Sequence, residues 1–148
     1  MSYNNELKLE FLSLSENEGF ARSCVASFCL PLNPSVEVIT DIKTAVSEAV
    51  TNCVVHAYPN TVGKIEILVK LTQNEIYISV KDFGVGIEDV IKAKEPFYTS
   101  KPESERSGMG FTVMESFMDN VTVTSKINVG TEVVLIKKLE EVSEAVGG

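Results

Sequence analysis

Between Ser35 and Ala57 the residues Val38, Ile39, Ile42, Ala45, Val46, Ala49, Val50 and Cys53 recur at the three-and-four spacing of an α-helix. So long an apolar stripe has to be buried against a second layer. The chain supplies that layer as short alternating segments. Leu7, Leu9 and Phe11 alternate with Lys8 and Glu10, the period of a half-buried strand. Lys64 to Leu71 and Glu75 to Lys81 read as a hairpin around Thr72-Gln73-Asn74, and Val121 to Ser125 and Thr131 to Lys137 as a second pair joined by Asn128-Val129-Gly130.

Other segments complete the order. Ser15-Glu16-Asn17-Glu18 reads as a capping box, with Ser15 capping the Glu18 amide. A helix is expected from there to about Cys29, with Phe20, Cys24, Val25 and Phe28 on one face, ended by Pro31 and Pro34. Pro59 to Gly63 is a loop, and Gly110 to Met118 is a short helix. Residues 82–109 are rich in glycine, proline and charge, with a helical hint only near Glu88 to Lys94. A connection of that length in a small domain is functional or mobile. The expected fold is α+β: a two-layer sandwich with a mostly antiparallel mixed sheet and helices on one face. One domain is expected over residues 1–148, with a frayed acidic tail over 139–148.

Composition narrows the function. A net charge of −8 argues against nucleic acid as a direct partner, because phosphate binding needs a basic footprint. The acidity serves either solubility or attraction of a basic partner. No apolar run approaches the ~20 residues of a membrane span, and no export signal is visible, so a cytoplasmic protein is expected. The three cysteines, Cys24, Cys29 and Cys53, are odd in number and form no C-x-x-C pair, and they read as small buried hydrophobes. With His56 as the single histidine, a histidine-rich metal site is excluded.

Three motifs carry chemistry. Glu48 and Asn52 lie four residues apart on the long helix, about 6 Å along its axis, opposite the apolar stripe. Asn52 offers a neutral oxygen that Mg²⁺ accepts when phosphates and waters complete its octahedron. Glu48 can take a proton from a hydroxyl near that metal. Left to themselves, the two residues read as a solvated face, and it is the company of the other motifs that points to chemistry. Asp82-Phe83-Gly84-Val85-Gly86 ends a strand. The Asp82 carboxylate can accept from the exocyclic amine of adenine, whereas guanine presents an oxygen there. Gly84 and Gly86 leave room for a flat base. The plainer reading is an Asp-Gly turn. Gly108-Met109-Gly110 opens a helix, where bare amides form an anion site, with Ser107, Arg106 and Lys101 adding a hydroxyl and positive charge. The plainer reading there is a hinge. Neither a Rossmann fingerprint nor a Walker motif is present.

In that order the motifs resemble the boxes of the Bergerat-fold ATPases and kinases, which include gyrase B, Hsp90, histidine kinases and MutL. Gly130-Thr131 resembles the closing element whose threonine helps hold adenine. The stretches Ser47 to Asn52, Pro96 to Pro102 and Glu105 to Phe111, with Ser15 to Arg22, are similar to the anti-sigma factor kinases of spore-forming bacteria. The resemblance implies ATP or ADP with Mg²⁺ as ligands, a sigma factor as one partner, and an anti-anti-sigma factor whose serine is phosphorylated. It implies Glu48 as base, Asn52 as metal ligand, Asp82, Gly84, Gly86 and Thr131 at the base, and Lys101, Arg106, Ser107, Gly108, Met109 and Gly110 at phosphate. Residues 88–107 would form a lid, with Thr99 as the hydroxyl reaching the γ-phosphate. Ala57 stands where the family commonly has glycine, and Tyr98 and Ser100 depart from its paired threonines. Arg22, early on the first helix and away from the nucleotide boxes, matches the family's partner-contacting arginine, though it reads equally as a solvated surface residue. A homodimer is also implied. The competing readings are a stress-response anti-sigma kinase, a stand-alone ATPase or detached histidine-kinase catalytic domain, and an adaptor that uses nucleotide only to set its shape.

Overall fold

A computed structural model describes residues 4–94 and 110–139. Most of the expected lid (95–107) and the tail beyond Leu139 lie outside the described residues. The elements are β1 (Asn5–Leu12), α1 (Asn17–Cys29), a 3₁₀ turn (Leu30–Leu32), α2 (Val36–Asn52), a π-helical turn (Cys53–Ala57), β2 (Lys64–Leu71), β3 (Glu75–Asp82), α3 (Val90–Ala93), α4 (Gly110–Phe117), β4 (Asn120–Lys126) and β5 (Gly130–Lys138). The strands form one sheet of order β1-β2-β3-β5-β4, and every ladder is antiparallel.

The alternating pattern explains the layers. Ile65, Ile67, Val69 and Leu71 of β2, Ile76, Ile78 and Val80 of β3, and Val133 and Leu135 of β5 are buried on the inner face. Ile42, Ala45, Val46, Ala49 and Val50 bury the expected stripe of α2 in the same core. Helix α2 lies between α1 and α4 and packs on both. Its start is capped by Ser35, whose hydroxyl accepts from Val38 N–H at 3.1 Å. At the far end of the sheet Lys137 Nζ donates to Asp41 at 3.1 Å and to the Phe117 carbonyl, tying β5 to α2 and α4.

Three local expectations are corrected. No capping box forms: Glu16 is the N-cap residue and makes no side-chain cap. Ser15 contributes its backbone carbonyl to Glu18 N–H at 3.2 Å, and the Glu18 carboxylate accepts from Arg22 at 2.9 Å. Helix α1 is also rotated from its expected face. Ala21, Val25, Ala26 and Cys29 are buried, while Phe20 is 58% exposed and Cys24 is half-buried. Small residues let α1 lie close to α2, and that contact outweighs burial of one large ring. Finally, α-helical geometry stops at Asn52, and the last turn widens through Ala57. Pro59 restricts the residue before it, and Tyr58 has left the helix (φ −128°, ψ 73°).

The layered core makes its stability testable. Ile78 is fully buried between sheet and helices, so Ile78→Ala should cost about 2–5 kcal/mol in equilibrium urea unfolding. Ile127→Ala, at a residue 50% exposed, should change it by less than about 0.5 kcal/mol.

Candidate functional site

The C-terminal half of α2 has a second face. Glu48 and Asn52, both half-buried, turn from the core toward the start of α4. A Cβ built on Gly110 would lie 3.1 Å from Asn52 Oδ1, 3.3 Å from Asn52 Nδ2 and 3.5 Å from Glu48 Oε1. A carboxylate, an amide and the bare first turn of a helix therefore meet at one point. They come from the first and third sequence motifs, some sixty residues apart. A side chain at 110 would be a tight fit in this cradle, and the Asn52 amide would have to shift by a few tenths of an ångström to admit it.

The second motif closes the end of the sheet's inner face. Pairing places Asp82 opposite Thr131, and Thr131 opposite Ser125, so three polar residues form one cross-strand row beyond the apolar ones. Asp82 is buried, and its Oδ1 accepts from Gly84 N–H at 3.0 Å and Thr131 N–H at 3.2 Å. The first bond is the local Asp-Gly turn; the second links the neighbouring strands β3 and β5. The Cys53 thiol, buried at the top of the π-helical turn, also hydrogen-bonds the Asp82 carboxylate. Burial pushes the Asp82 carboxyl above its ordinary value, and the hydrogen bonds from Gly84, Cys53 and Thr131 oppose that rise. Burial, reinforced by the Asp82 charge, holds the Cys53 thiol well above its usual range. Burial alone pushes the Cys29 thiol up to about 12. Neither buried cysteine is thus disposed to react as a thiolate.

The π-helical turn joins the two clusters. The carbonyl of Ala57, one of those a helix end leaves unpaired, accepts from Val85 N–H at 2.9 Å. A Cβ on Gly84 would overlap that carbonyl, and one on Gly86 (φ 80°) would overlap the carbonyl of Lys126. The space at both glycines is filled by the chain's own backbone, which corrects the expectation that it is left open for a flat base and accounts for the absence of side chains there. Tyr58 adds a staple: its hydroxyl donates to the Lys64 carbonyl and accepts from Phe83 N–H at 2.7 Å.

Arg22 is closer to this site than its sequence position implied. With Thr40, Lys43, Thr44, Ser47 and Glu48 it lines a groove of about 370 Å³ between α1 and α2. The arginine and the candidate base therefore share one surface, which corrects the expectation that Arg22 stands apart. Thr99, Lys101, Arg106, Ser107, Gly108 and Met109 lie outside the described residues. The sequence reading missed Cys53 as a partner of Asp82, Tyr58 as a staple, and Ser125 beside Thr131. Only Ser125 had a signal, since hairpin register from the Asn128–Gly130 turn places it opposite Thr131.

Residues 13–137 match the family model of the histidine kinase-like ATPase domain, the class this fold and site define. The chain is 54% identical over 137 residues to an anti-sigma F factor of Clostridium perfringens, covering 92% of this chain and 98% of that one. It is 55% identical over 137 residues to the anti-sigma F factor of Caldanaerobacter subterraneus (93% and 96% covered), and 51% identical over 138 residues to that of Bacillus velezensis (93% and 94%). Among solved structures it resembles the RsbU and RsbW domains of a Mycobacterium tuberculosis protein, with a TM-score of 0.65 at 17% identity, over 95% of this chain and 34% of that one. It also resembles the histidine kinase domain of a blue-light activated kinase from Erythrobacter litoralis, with a TM-score of 0.55 at 19% identity, over 84% and 60% of the two chains. The chain belongs to the histidine kinase-like ATPase domain family and, within it, to the anti-sigma F factors. The two solved structures share the fold. No helix among the described residues is long and apolar enough to cross a membrane.

The raised carboxyl of Asp82 has a sign that can be checked. A folded-state pKa above the ordinary 3.8 means that the folded protein holds the proton longer, so stability falls as pH rises through that window. Asp82→Asn removes this penalty. Its melting temperature should gain on the wild type as pH rises from about 3 to about 7, read by calorimetry.

Proposed function

We propose that the chain is an anti-sigma factor that binds a sporulation sigma factor, sigma F, and keeps it from RNA polymerase. It also acts as a protein serine kinase, passing the γ-phosphate of ATP to a serine of an anti-anti-sigma factor. The observation that carries the catalytic half is the cradle at Gly110, where Glu48, Asn52 and the start of α4 converge.

In this reading Glu48 accepts the proton of the acceptor serine. The serine oxygen bonds to the γ-phosphorus as the bond to the β,γ-bridging oxygen breaks, and ADP leaves with that electron pair. Asn52 would hold Mg²⁺ through its amide oxygen; when bound, the ion neutralises phosphate charge. The cradle fits such a group, because the space at Gly110 is polar-lined and free of a side chain. Asp82 accepts from the adenine amine, with Gly84, Gly86 and Thr131 around the base. The amides from Gly108 to Gly110 hold phosphate, together with Lys101, Arg106, Ser107 and Thr99. Phosphoryl transfer is largely positioning and charge stabilisation, which a small domain can supply.

Partner exchange follows from the same parts. Arg22 contacts partner proteins, and its place in the groove with Glu48 supports an acceptor approaching there. The lid over 88–107 orders around a γ-phosphate and relaxes with ADP. A partner that prefers one nucleotide state must by linkage favour that nucleotide. The protein works in the cytoplasm as a homodimer, with the first strand and helix as interface elements.

Glu48→Gln tests the catalytic assignment. Label transfer from γ-labelled ATP to the serine of the anti-anti-sigma protein should fall by about 10²–10⁴, with ADP affinity unchanged. Label on histidine, or only in free phosphate, would refute the serine-kinase reading.

A further inference from the structure

In the polar row at the end of the inner face, Asp82 and Thr131 have roles in the reading above, and Ser125 has none. Its hydroxyl makes three contacts. Ile87 N–H donates to it at 2.7 Å, the Gly130 carbonyl lies at 3.2 Å, and Thr131 Oγ1 lies at 2.7 Å. A serine hydroxyl has one proton and two lone pairs. Ile87 occupies one lone pair. A carbonyl can only accept, so the contact with Gly130 uses the serine's proton. The remaining contact is a hydrogen bond only when Thr131 is the donor. This is the single assignment that places a proton in all three contacts. Thr131 then has no proton for a ligand, and its oxygen presents lone pairs beside the Asp82 carboxylate, to which its own amide is bonded at 3.2 Å.

We infer that Ser125 is a positioning residue for purine selection: by accepting the Thr131 proton it turns the Asp82–Thr131 pair into a set of acceptors. The inference rests on the reading of the Asp82 site as the base site. An exocyclic amine, as in adenine, carries two protons and suits two acceptors. A ring carbonyl at the same position, as in guanine, meets two acceptors and no proton. Burial sharpens the contrast, because Asp82 and Thr131 are both buried, where a hydrogen bond left unmade costs more than at an exposed site. The same hydroxyl holds the Ile87 amide, so the base site and the start of the 88–107 segment share one oxygen.

The test is calorimetric titration of the full chain with ADP and with GDP, both with Mg²⁺. Ser125→Ala frees the Thr131 hydroxyl to rotate and donate. ADP affinity should fall roughly five-fold and GDP affinity should rise by a similar factor, closing the ratio of the two by more than about ten-fold. Ser125→Thr keeps a hydroxyl and should restore the wild-type ratio. Should the alanine variant fail to fold, Ser125→Cys, close in size but a weak hydrogen-bonding group, is read in its place with the same expectation. An equal fall for both nucleotides would mean that Ser125 only supports the strands, and would overturn the inference, as would an unchanged ratio. Asp82→Asn separates the two levels. If it leaves ADP affinity intact, the base-site reading fails and takes this inference with it. If it weakens ADP while Ser125→Ala leaves the ratio alone, only the role of Ser125 is lost.

Discussion

The site hangs on one buried carboxylate. Desolvating Asp82 is costly, and the cost is offset in part by donors from three separate stretches: the turn at Gly84, the strand at Thr131, and the helix end at Cys53. Those three bonds draw together the loop after β3, the start of β5 and the end of α2. The close backbone contacts at Gly84 and Gly86 follow from that convergence. A carboxylate that organises its surroundings in this way also keeps a fixed orientation, which a recognition group needs.

Helix α2 has two faces with two functions. Ile42, Ala45, Val46, Ala49 and Val50 anchor it to the sheet, and Glu48 and Asn52 stand on its opposite flank beside Gly110. Because the core fixes the rotation of the helix, it also fixes where the carboxylate and amide point. The widened turn after Asn52 then redirects the chain, so that Cys53 reaches Asp82 and Ala57 meets Val85. Both clusters of the site are set by this helix and its irregular end, and irregular π-turns are frequent at functional sites.

The groove beside Glu48 adds a surface for a macromolecule. Arg22 is held by Glu18 at 2.9 Å, a partly exposed pair that contributes little to stability. Its effect is to fix the guanidinium at the groove's edge. Lys43 and the hydroxyls of Thr40, Thr44 and Ser47 line the same groove, so its polarity comes mostly from α2, with Arg22 the contribution of α1.

Local pattern by itself determined much of this protein. Period-two alternation placed all five strands within a residue or two, and the period of 3.6 placed α2 with its buried stripe. The three motifs marked Glu48, Asn52, Asp82 and Gly110 before the first and the third could be seen to meet. These features are legible because burial imposes a repeat on each segment separately. Packing between segments decided the rest. The rotation of α1, with Phe20 turned outward, was set by close contact with α2. The missing capping box, the widened end of α2, and Arg22 beside Glu48 depend likewise on neighbours distant in sequence. So does the proton order of Ser125 and Thr131, which needs Ile87 and Gly130 in place. A hydrogen bond between distant residues leaves no periodic trace along the chain, so only the tertiary structure reveals it.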